Sequence, residues 1–427
     1  MSKKVLIITY YWPPAGGPGV QRWLKFVKYL PQYNITPIVY TALNANYPII
    51  DKQFINEISN DVLILKQPIK EPYKWSGLFL RKQTKSISKG IISKENQTLI
   101  EKFLLFIRGN FFIPDARVLW VKPSVKYLSE IIKKHNIETV ITTGPPHSVH
   151  LIGYELKLKS NLRWITDFRD PWTTISYHKD LKLLKKSQQK HLALEHRVLN
   201  FSDEIIVTSA STKKEFEKKT SKKISVITNG YDVEKSEKKE IDKEFSITHI
   251  GSLLSDRNPQ NLWKILGEII TENKSFKELF KLKFVGINSK NVLDEVCKHI
   301  PAENVEVINY VSHNDALEFQ KKSAVLLLIE SNTNEKQVII PAKLFEYMVS
   351  GRPILSFGHK LADFSSIVKE TNTGSFFTYY DEEILKNKIL NYFQDFLNNK
   401  LITYPVNLQQ YSRKNLTKKL AEIILKS

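Results

Sequence analysis

Two cations in the second half of the chain could bind a diphosphate. Arg257 is reached from a short apolar segment, Ser246–Ile250, through a loop that starts at Gly251. Lys343 lies in Pro341–Glu346, where a helix is predicted to begin. Guanidinium and ammonium groups are suited to phosphate oxygens. By composition alone both would be ordinary surface charges, so their assignment depends on the residues around them.

Glu346 adds a group that could bind the sugar of a nucleotide. It follows Lys343 on the same predicted helix. A carboxylate there can accept hydrogen bonds from both hydroxyls of a ribose, as acidic residues do in other nucleotide sites. Together with Arg257, the two residues predict a site for a nucleoside diphosphate.

A glycine-rich loop follows the first apolar segment of the chain. Gly16, Gly17 and Gly19 lie between Val5–Thr9 and a helix predicted from Gln21. Glycines let the backbone approach a ligand closely, and free amides at a helix start favour an anion. The prolines and the spacing exclude the dinucleotide fingerprint Gly-x-Gly-x-x-Gly. Because many such turns contain glycine for geometry alone, this loop is a weak signal by itself.

Two polar clusters follow apolar segments in the middle of the first half. One is Thr143–Ser148, which contains His147, and the other is Asp167–Trp172. In open α/β sheets ligands bind beyond the carboxyl ends of the strands, where both clusters would lie. His147 could act as a base or donate to a sugar hydroxyl, and a histidine in a helix-capping turn is an equally common interpretation. Arg169 can neutralise both aspartates of the second cluster, so we expect a salt-bridge network there and no metal site.

The apolar segments predict the frame that positions these residues. They are short and nearly continuous, which indicates strands covered on both faces, as in parallel sheets. Helix-length amphipathic stretches alternate with them, which predicts a doubly wound α/β architecture. The predicted strands are Val5–Thr9, Thr36–Tyr40, Val62–Leu65, Thr139–Thr142, Trp164–Asp167, Glu204–Thr208, Ile224–Ile227, Ser246–Ile250, Leu282–Val285, Val305–Asn309, Val325–Ile329 and Pro353–Ser356.

The chain has 427 residues, which is too many for one hydrophobic core, so we predict two domains. An Asn-Gly turn signal at 229–230 and a charged stretch through Lys243 mark the hinge. We therefore predict Rossmann-like domains over residues 1–228 and 229–405. Residues 406–427 are predicted to form a helix that packs back on the first domain.

Composition narrows the class of protein. The chain has 64 Lys and Arg against 44 Asp and Glu, a net charge of +20 that predicts attraction to phosphate. Its one cysteine, Cys297, excludes an internal disulfide and a cysteine-based zinc site, and fits a reducing cytoplasm. No apolar run reaches the roughly 20 residues of a membrane span. We expect a cytoplasmic protein, soluble or peripheral at the inner face of the cell membrane.

Residues 66–106 mix basic and aromatic side chains. Glu71 is the single acid among the many lysines and arginines of residues 66–94, and Trp75 and Phe79 lie between them. Phe103 follows soon after. Such a mixture suits an anionic membrane surface, where each cation near the lipid contributes about 1 kcal/mol. The alternative is a solvated insertion whose apolar residues pack on the domain.

In their order and spacing, several motifs resemble a bacterial glycosyltransferase of family four. They are the glycine-rich loop, Asp167-Phe-Arg-Asp-Pro-Trp172, Val226-Ile-Thr-Asn-Gly-Tyr-Asp232, Thr248-His-Ile-Gly-Ser252 with Arg257, Pro341–Pro353, and the tail from Tyr411-Ser-Arg413. The resemblance covers nearly the whole chain. It implies the GT-B fold, in which two Rossmann-like domains with parallel sheets face each other across a cleft. The first would bind the acceptor and the second the nucleotide-sugar.

The resemblance also implies the reaction and the roles of residues. A sugar would pass from a nucleotide-sugar to a saccharide or lipid-linked saccharide with retention of configuration, with no metal or other cofactor, in surface polysaccharide biosynthesis. Arg257 would hold the diphosphate and Glu346 the ribose, with Lys343 assisting. Gly16 and Gly17 would let the first loop reach the transferring sugar or its phosphate.

Two positions depart from the family pattern. The family places a first glutamate eight residues before the one at Glu346, and this chain has Val338 there, with Glu335 out of register. The family's catalytic histidine has no clean match, since His147 lies in the right segment but later in it. These departures bear on the identity of the sugar and the detail of the mechanism.

Two other functions remain open from the sequence. A sugar-nucleotide epimerase can share this fold, and it would act on a donor without an acceptor. A basic nucleic-acid-binding protein fits the net charge, but no helix-turn-helix, zinc finger or aromatic RNA-binding motif is present, so we expect no nucleic-acid partner.

Overall fold

A computed structural model describes residues 2–71, 99–175, 178, 181–232, 240–332 and 340–426. The chain forms two compact units, one of Met1–Asn229 with Arg413–Ser427 and one of Gly230–Ser412. The closing helix therefore begins at Arg413 rather than at residue 406. Most of residues 66–94, together with Glu335 and Val338, lie outside the described residues, as do the side chains of residues 99–101.

The first unit is built on a seven-stranded parallel sheet. Its strand order is β3-β2-β1-β4-β5-β6-β7, so the chain returns from one edge to the middle and continues to the other edge. The switch point lies between β1 and β4. The strands are β1 (Lys3–Thr9), β2 (Ile35–Ala42), β3 (Leu63–Gln67), β4 (Thr139–Gly144), β5 (Arg163–Phe168), β6 (Glu204–Val207) and β7 (Ile224–Val226).

Helices cover both faces of this sheet, and the last helix of the chain is among them. Leu416 and Leu420 of that helix lie in one buried cluster with Trp23 and Val27 of the first helix and with Val5 of β1. Burial of this apolar face holds the C-terminal segment on the first unit. The helices are α1 (Pro18–Tyr29), α2 (Leu99–Phe111), α3 (Val121–His135), α4 (Ser148–Lys159), α5 (Lys185–Phe201), α6 (Ala210–Phe216) and, as α14, Arg413–Leu425.

The second unit has the same architecture, built on six parallel strands. Its order is β10-β9-β8-β11-β12-β13, which places the switch point between β8 and β11. The strands are β8 (Phe245–Ile250), β9 (Phe280–Val285), β10 (Val305–Ile308), β11 (Val325–Ile329), β12 (Ile354–Phe357) and β13 (Gly374–Phe377). The helices are α7 (Gln260–Glu272), α8 (Lys274–Leu279), α9 (Lys290–His299), α10 (His313–Lys322), α11 (Lys343–Val349), α12 (Asp363–Glu370) and α13 (Glu383–Leu397).

Each of the predicted strands is present, and both sheets are parallel, so the predicted fold class is confirmed. The strand predictions missed β13. Gly374 pairs with Ile354 at the start of this edge strand, and a Cβ there would lie 2.0 Å from the Ile354 carbonyl oxygen. Across the described residues, no helix combines the length and apolarity needed to cross a membrane.

Candidate functional site

The predicted donor residues of the second unit lie around its switch point. Gly251 directly follows β8, and Arg257 lies in the loop beyond it. Lys343 and Glu346 lie on the first turn of α11, after β11. Because β8 and β11 are neighbours whose onward connections diverge, a crevice for a ligand is expected at their carboxyl ends.

Gly251 leaves room for the Lys343 ammonium. Its φ of +110° is a conformation that side chains rarely adopt. A Cβ at this position would lie 3.1 Å from Lys343 Nζ. The same turn passes close to Gly286 after β9, where a Cβ would lie 2.6 Å from the Gly251 carbonyl oxygen. Both glycines are therefore needed for the close approach of backbone and lysine.

Tyr347 fixes α11 to the end of β8. Its buried hydroxyl accepts a hydrogen bond from the Ile250 amide at 3.0 Å and donates to the Ile250 carbonyl oxygen at 3.4 Å. Tyr347 lies one helical turn from Lys343, so the contact sets the position of the lysine relative to Gly251. Burial raises the pKa of Tyr347, which keeps the phenol protonated as this donor.

Lys343 forms no ion pair among the residues that the structure describes. Its Nζ lies 3.3 Å from His249 Nε2, and its side chain is half-buried. Burial, and then the charge of Arg257, lower the pKa of Lys343 to about 7, although the Glu330 carboxylate acts in the opposite direction. The amine therefore changes its charge near neutral pH.

Arg257 is held by an acid that follows β11. Its guanidinium lies 3.0 Å from Glu330 Oε2, and both side chains are partly exposed. The Glu330 backbone is fixed in turn by the Tyr379 hydroxyl, which donates to its carbonyl oxygen at 2.8 Å. A salt bridge to one carboxylate leaves guanidinium donors for a second anion.

Glu346 lies at the edge of the same group of residues. Gln320 Nε2 donates to Glu346 Oε2 at 3.4 Å, and His313 Nε2 lies 3.6 Å from Oε1. The carboxylate is half-buried and retains acceptor capacity for hydroxyl groups. The structure thus brings Arg257, Lys343 and Glu346 of the predicted site to one end of one sheet.

Gly16 and Gly17 lie in the first unit and have different structural roles. The Gly16 amide donates to the Ile49 carbonyl oxygen at 3.0 Å, and a Cβ there would lie 2.9 Å from the Ile49 side chain. Gly17 precedes α1 with φ +97°, and nothing lies within 4 Å of its Cβ position. Gly17 is therefore required for its backbone angle, whereas Gly16 is required for close packing.

Arg169 joins the glycine loop to the loop after β4. Its guanidinium occupies the space in which a Cβ on Gly19 would lie, at 1.7 Å from one nitrogen. Its Nε donates to the Gly144 carbonyl oxygen at 3.2 Å, and a second nitrogen donates to the Pro145 carbonyl oxygen. Arg169 therefore fixes both loops at the carboxyl ends of β1 and β4.

Asp167 is paired with Arg22 rather than with Arg169, which corrects the sequence interpretation. Both side chains are fully buried, and their closest atoms are 2.8 Å apart. Trp23 Nε1 and the Thr143 hydroxyl also donate to Asp167, at 2.7 and 2.8 Å. Burial alone would raise the pKa of Asp167, but the Arg22 charge and these hydrogen bonds hold it below its usual value. The group ties α1 to β4 and β5.

His147 is buried rather than presented to solvent. Its ring stacks on Trp172 with centroids 4.8 Å apart, and neither nitrogen has a hydrogen-bond partner in the described part of the chain. Burial, and then the nearby His150, lower its pKa well below the usual value, so the imidazole is neutral. His147 lies at the N-cap of α4, and its side chain makes no capping hydrogen bond. The amide and hydroxyl of Ser148 donate to Asp115.

Sequence reasoning missed His249 and Glu330. Glu330 directly follows the apolar strand β11, which is the position where ligand-facing residues occur, so a signal existed. His249 lies within an apolar strand and gave no such signal. Among the described residues, no group of three or more His, Cys, Asp or Glu side chains could hold a metal ion.

Comparison with solved structures shows the same two-unit fold in proteins of low sequence identity. TarM has a TM-score of 0.64 at 12% identity, covering 100% of this chain and 99% of TarM. Sucrose-phosphate synthase from Thermosynechococcus elongatus has a TM-score of 0.60 at 12% identity, covering 99% of this chain and 97% of that one. A Listeria monocytogenes protein assigned as a UDP-N-acetylglucosamine 2-epimerase has a TM-score of 0.56 at 13% identity, with coverage of 99% and 96%.

A comparison with protein families matches one part of the chain. Residues 93–235 match the model of Glycosyltransferase Family 4, whereas no curated protein sequence matches the chain. The family match lies almost entirely in the first unit, and the two Rossmann-like units have the architecture of GT-B glycosyltransferases. The resemblance to family four is confirmed over residues 93–235.

Proposed function

We propose that this chain is a retaining glycosyltransferase that uses a nucleotide-sugar donor and needs no metal. The acceptor is a saccharide or lipid-linked saccharide of surface polysaccharide biosynthesis, bound by the first unit, and the enzyme works in the cytoplasm. The observation that carries the proposal is the grouping of Arg257, Lys343 and Glu346 beside the bare backbone of Gly251. An S. aureus TarM variant of the same fold has been crystallised in complex with UDP, at a TM-score of 0.57, which supports a nucleotide as ligand.

The proposed chemistry needs no nucleophile from the protein. When the sugar leaves, negative charge develops on the nucleoside diphosphate, and Arg257 and protonated Lys343 stabilise it. Gly251 lets the phosphate approach the backbone closely. The bond from the anomeric carbon to the diphosphate breaks, and the acceptor oxygen bonds to that carbon on the same face while the departing phosphate takes the hydroxyl proton, which gives retention of configuration. Glu346 orients the nucleotide through its ribose hydroxyls.

A donor screen tests this function. Thermal shifts with UDP, GDP and ADP, and then with their sugars, should show selective stabilisation by one nucleotide, because a ligand that binds only the native state raises the melting temperature. Product analysis with that donor and candidate glycan acceptors should then show transfer with retained anomeric configuration. The absence of a thermal shift with every nucleotide would contradict the proposal.

The second candidate is a sugar-nucleotide epimerase, which the Listeria neighbour favours. An epimerase converts its donor without any acceptor, whereas a transferase leaves the donor sugar unchanged except for slow hydrolysis. NMR of the donor incubated with the protein alone therefore separates the two. A new sugar epimer formed without acceptor would replace the transferase proposal.

We further propose that the first unit contacts an anionic membrane through α2 and the segment linked to it at Leu184. Phe103 and Phe111 are 61% and 72% exposed, and Leu184 is 54% exposed. Asn110 links the two segments, because its side chain accepts from the Leu184 amide at 2.8 Å and donates to the Lys182 carbonyl oxygen at 3.3 Å. Exposed lysines accompany these apolar side chains, namely Lys102, Lys182, Lys185, Lys186 and Lys190. Exposed aromatic and cationic groups suit anionic lipid headgroups.

Vesicle cosedimentation tests the membrane contact. Binding to vesicles with anionic lipid should be strong at low salt and weak at high salt, and absent with neutral vesicles. Phe103→Ser with Phe111→Ser should weaken it, whereas Leu397→Ser, an exposed leucine of the second unit, should not. Equal binding by the two variants, or no binding to anionic vesicles, would contradict the contact. The second outcome would favour the solvated insertion.

A further inference from the structure

His249 lies beneath the donor site and has a defined tautomer. The side chain is fully buried in β8. Its Nδ1 lies 3.1 Å from the Leu327 carbonyl oxygen. Because a carbonyl can only accept, Nδ1 carries the hydrogen, and Nε2 of the neutral ring presents a lone pair. Burial, followed by the charges of Lys343 and Arg257, holds the pKa of His249 well below its usual value, so the ring stays neutral.

With the hydrogen on Nδ1, Lys343 donates to His249. Its Nζ lies 3.3 Å from His249 Nε2. The charged groups that act on Lys343 are Arg257 and Glu330, which come from the loop after β8 and the end of β11 and are paired with each other at 3.0 Å. The ammonium is thus oriented by a neutral acceptor, and no carboxylate of the described residues forms an ion pair with it.

We propose that His249 is a positioning residue that holds Lys343 toward the donor diphosphate and couples nucleotide binding to protonation of the Lys343 amine. The inference rests on the proposed function of this site. A diphosphate favours the ammonium form, so binding above neutral pH draws one proton from solvent onto Lys343 Nζ. Departure of the nucleotide diphosphate releases that proton again.

Isothermal titration of the intact chain tests the coupling. UDP, GDP or ADP, whichever binds most tightly, is titrated at pH 6 and pH 8 in buffers of different ionisation enthalpy. With a Lys343 pKa of about 7, we expect an uptake close to one proton at pH 8 and little at pH 6. Lys343→Arg is the matched control, because an arginine stays charged at both values and removes this uptake, while ionisation of the nucleotide itself is common to both proteins.

Two variants of His249 separate positioning from packing. The amide of His249→Asn can replace Nδ1 toward Leu327 but leaves nothing for Lys343, whereas the amide oxygen of His249→Gln can replace Nε2. Because hydrogen bonds to charged groups are strong, we expect the Asn variant to bind nucleotide about tenfold more weakly and the Gln variant to recover most of that loss. Thermal unfolding checks that both His249 variants are folded. If one of them is not, the proton uptake measured with the unaltered chain still tests the coupling.

The outcomes distinguish a failure of this inference from a failure of the proposed function. Equal proton uptake by the unaltered chain and Lys343→Arg, with nucleotide still bound, overturns the coupling and leaves the donor site standing. Equal affinity of the Asn and Gln variants overturns the positioning role of His249. Failure of the unaltered chain to bind any of the three nucleotides overturns the donor site and this inference together.

Discussion

The two units use the carboxyl ends of their central strands differently. In the first unit, the charged groups satisfy one another: Asp167 receives hydrogen bonds from Arg22, Trp23 and Thr143, all out of contact with water. In the second unit, Lys343 has a neutral partner and remains half-exposed. A charge that is paired within the protein holds the frame together, whereas a cation without a counter-charge is suited to bind an anion from outside.

The units also differ in how many histidines they bury, since among the described residues the first unit buries four and the second buries only His249. His147, His150, His178 and His191 are buried in the first unit, and burial lowers the pKa of each, to about 3 for His150 and about 4 for His178 and His191. The unfolded chain takes up their protons below about pH 6.5 while the folded chain does not, so stability is lost as the pH falls. Each ring contributes up to about 1.4 kcal/mol per pH unit, down to its folded pKa.

Acid unfolding between pH 6.5 and pH 5 checks this, since most carboxylates are still ionised there. His191→Asn retains an acceptor for Trp172 Nε1, which donates to His191 Nδ1 at 3.2 Å, and removes one titrating ring. We expect its stability to fall less steeply with decreasing pH. A stability that stays constant over this range would show that these rings are protonated or exposed.

Breaking the paired charge of the first unit should damage the fold. Asp167→Ala leaves the Arg22 guanidinium buried without its counter-charge, and we expect a loss of about 3–5 kcal/mol in the free energy of unfolding. Urea unfolding measures it. Glu217→Ala, which removes an exposed pair with Lys213, is the control and should cost less than about 1 kcal/mol. A similarly small loss for both would mean that the Asp167 group does not hold the first unit together.

Removing a cation of the second unit should damage function and spare the fold. We expect Arg257→Ala to lower kcat/KM about 10²–10³-fold, because a donor to the developing diphosphate charge is lost. Steady-state kinetics with the donor and acceptor from the screen measure this, beside Lys274→Ala, an exposed cation of the same unit. A near-normal rate would remove Arg257 from the site.

The ribose contact should have a smaller effect. Glu346→Gln keeps the shape of the side chain and loses the charge, so we expect nucleotide affinity to fall about tenfold with little change in melting temperature. Titration calorimetry measures the affinity, with Glu278→Gln as an exposed control. If the free base bound as tightly as the nucleotide, the ribose would add nothing to the affinity. Glu346 would then not bind the ribose hydroxyls.

Local sequence patterns predicted the frame better than the pairings within it. Continuous apolar runs identify strands such as β1 and β11, because burial on both faces requires them. The edge strand β13 is short and half-buried, so Gly374–Phe377 carried no such pattern. Arg22 and Asp167 are 145 residues apart, and no local spacing could pair them.

The functional site likewise contains residues that the sequence identified and contacts that it did not. Arg257, Lys343 and Glu346 came from residue type and from the resemblance, and the fold brings them to one sheet end. His249 could not be found this way, because its role depends on the Leu327 carbonyl of a neighbouring strand. The arginine partner of Asp167 was misassigned for the same reason, since sequence proximity favoured Arg169.

A crystal structure with the tightest-binding nucleoside diphosphate would show whether the second unit binds the donor through these residues. We expect diphosphate oxygens within hydrogen-bond distance of the Arg257 guanidinium and Lys343 Nζ, and ribose hydroxyls against the Glu346 carboxylate. A nucleotide bound elsewhere on the chain, with these three side chains untouched, would contradict it.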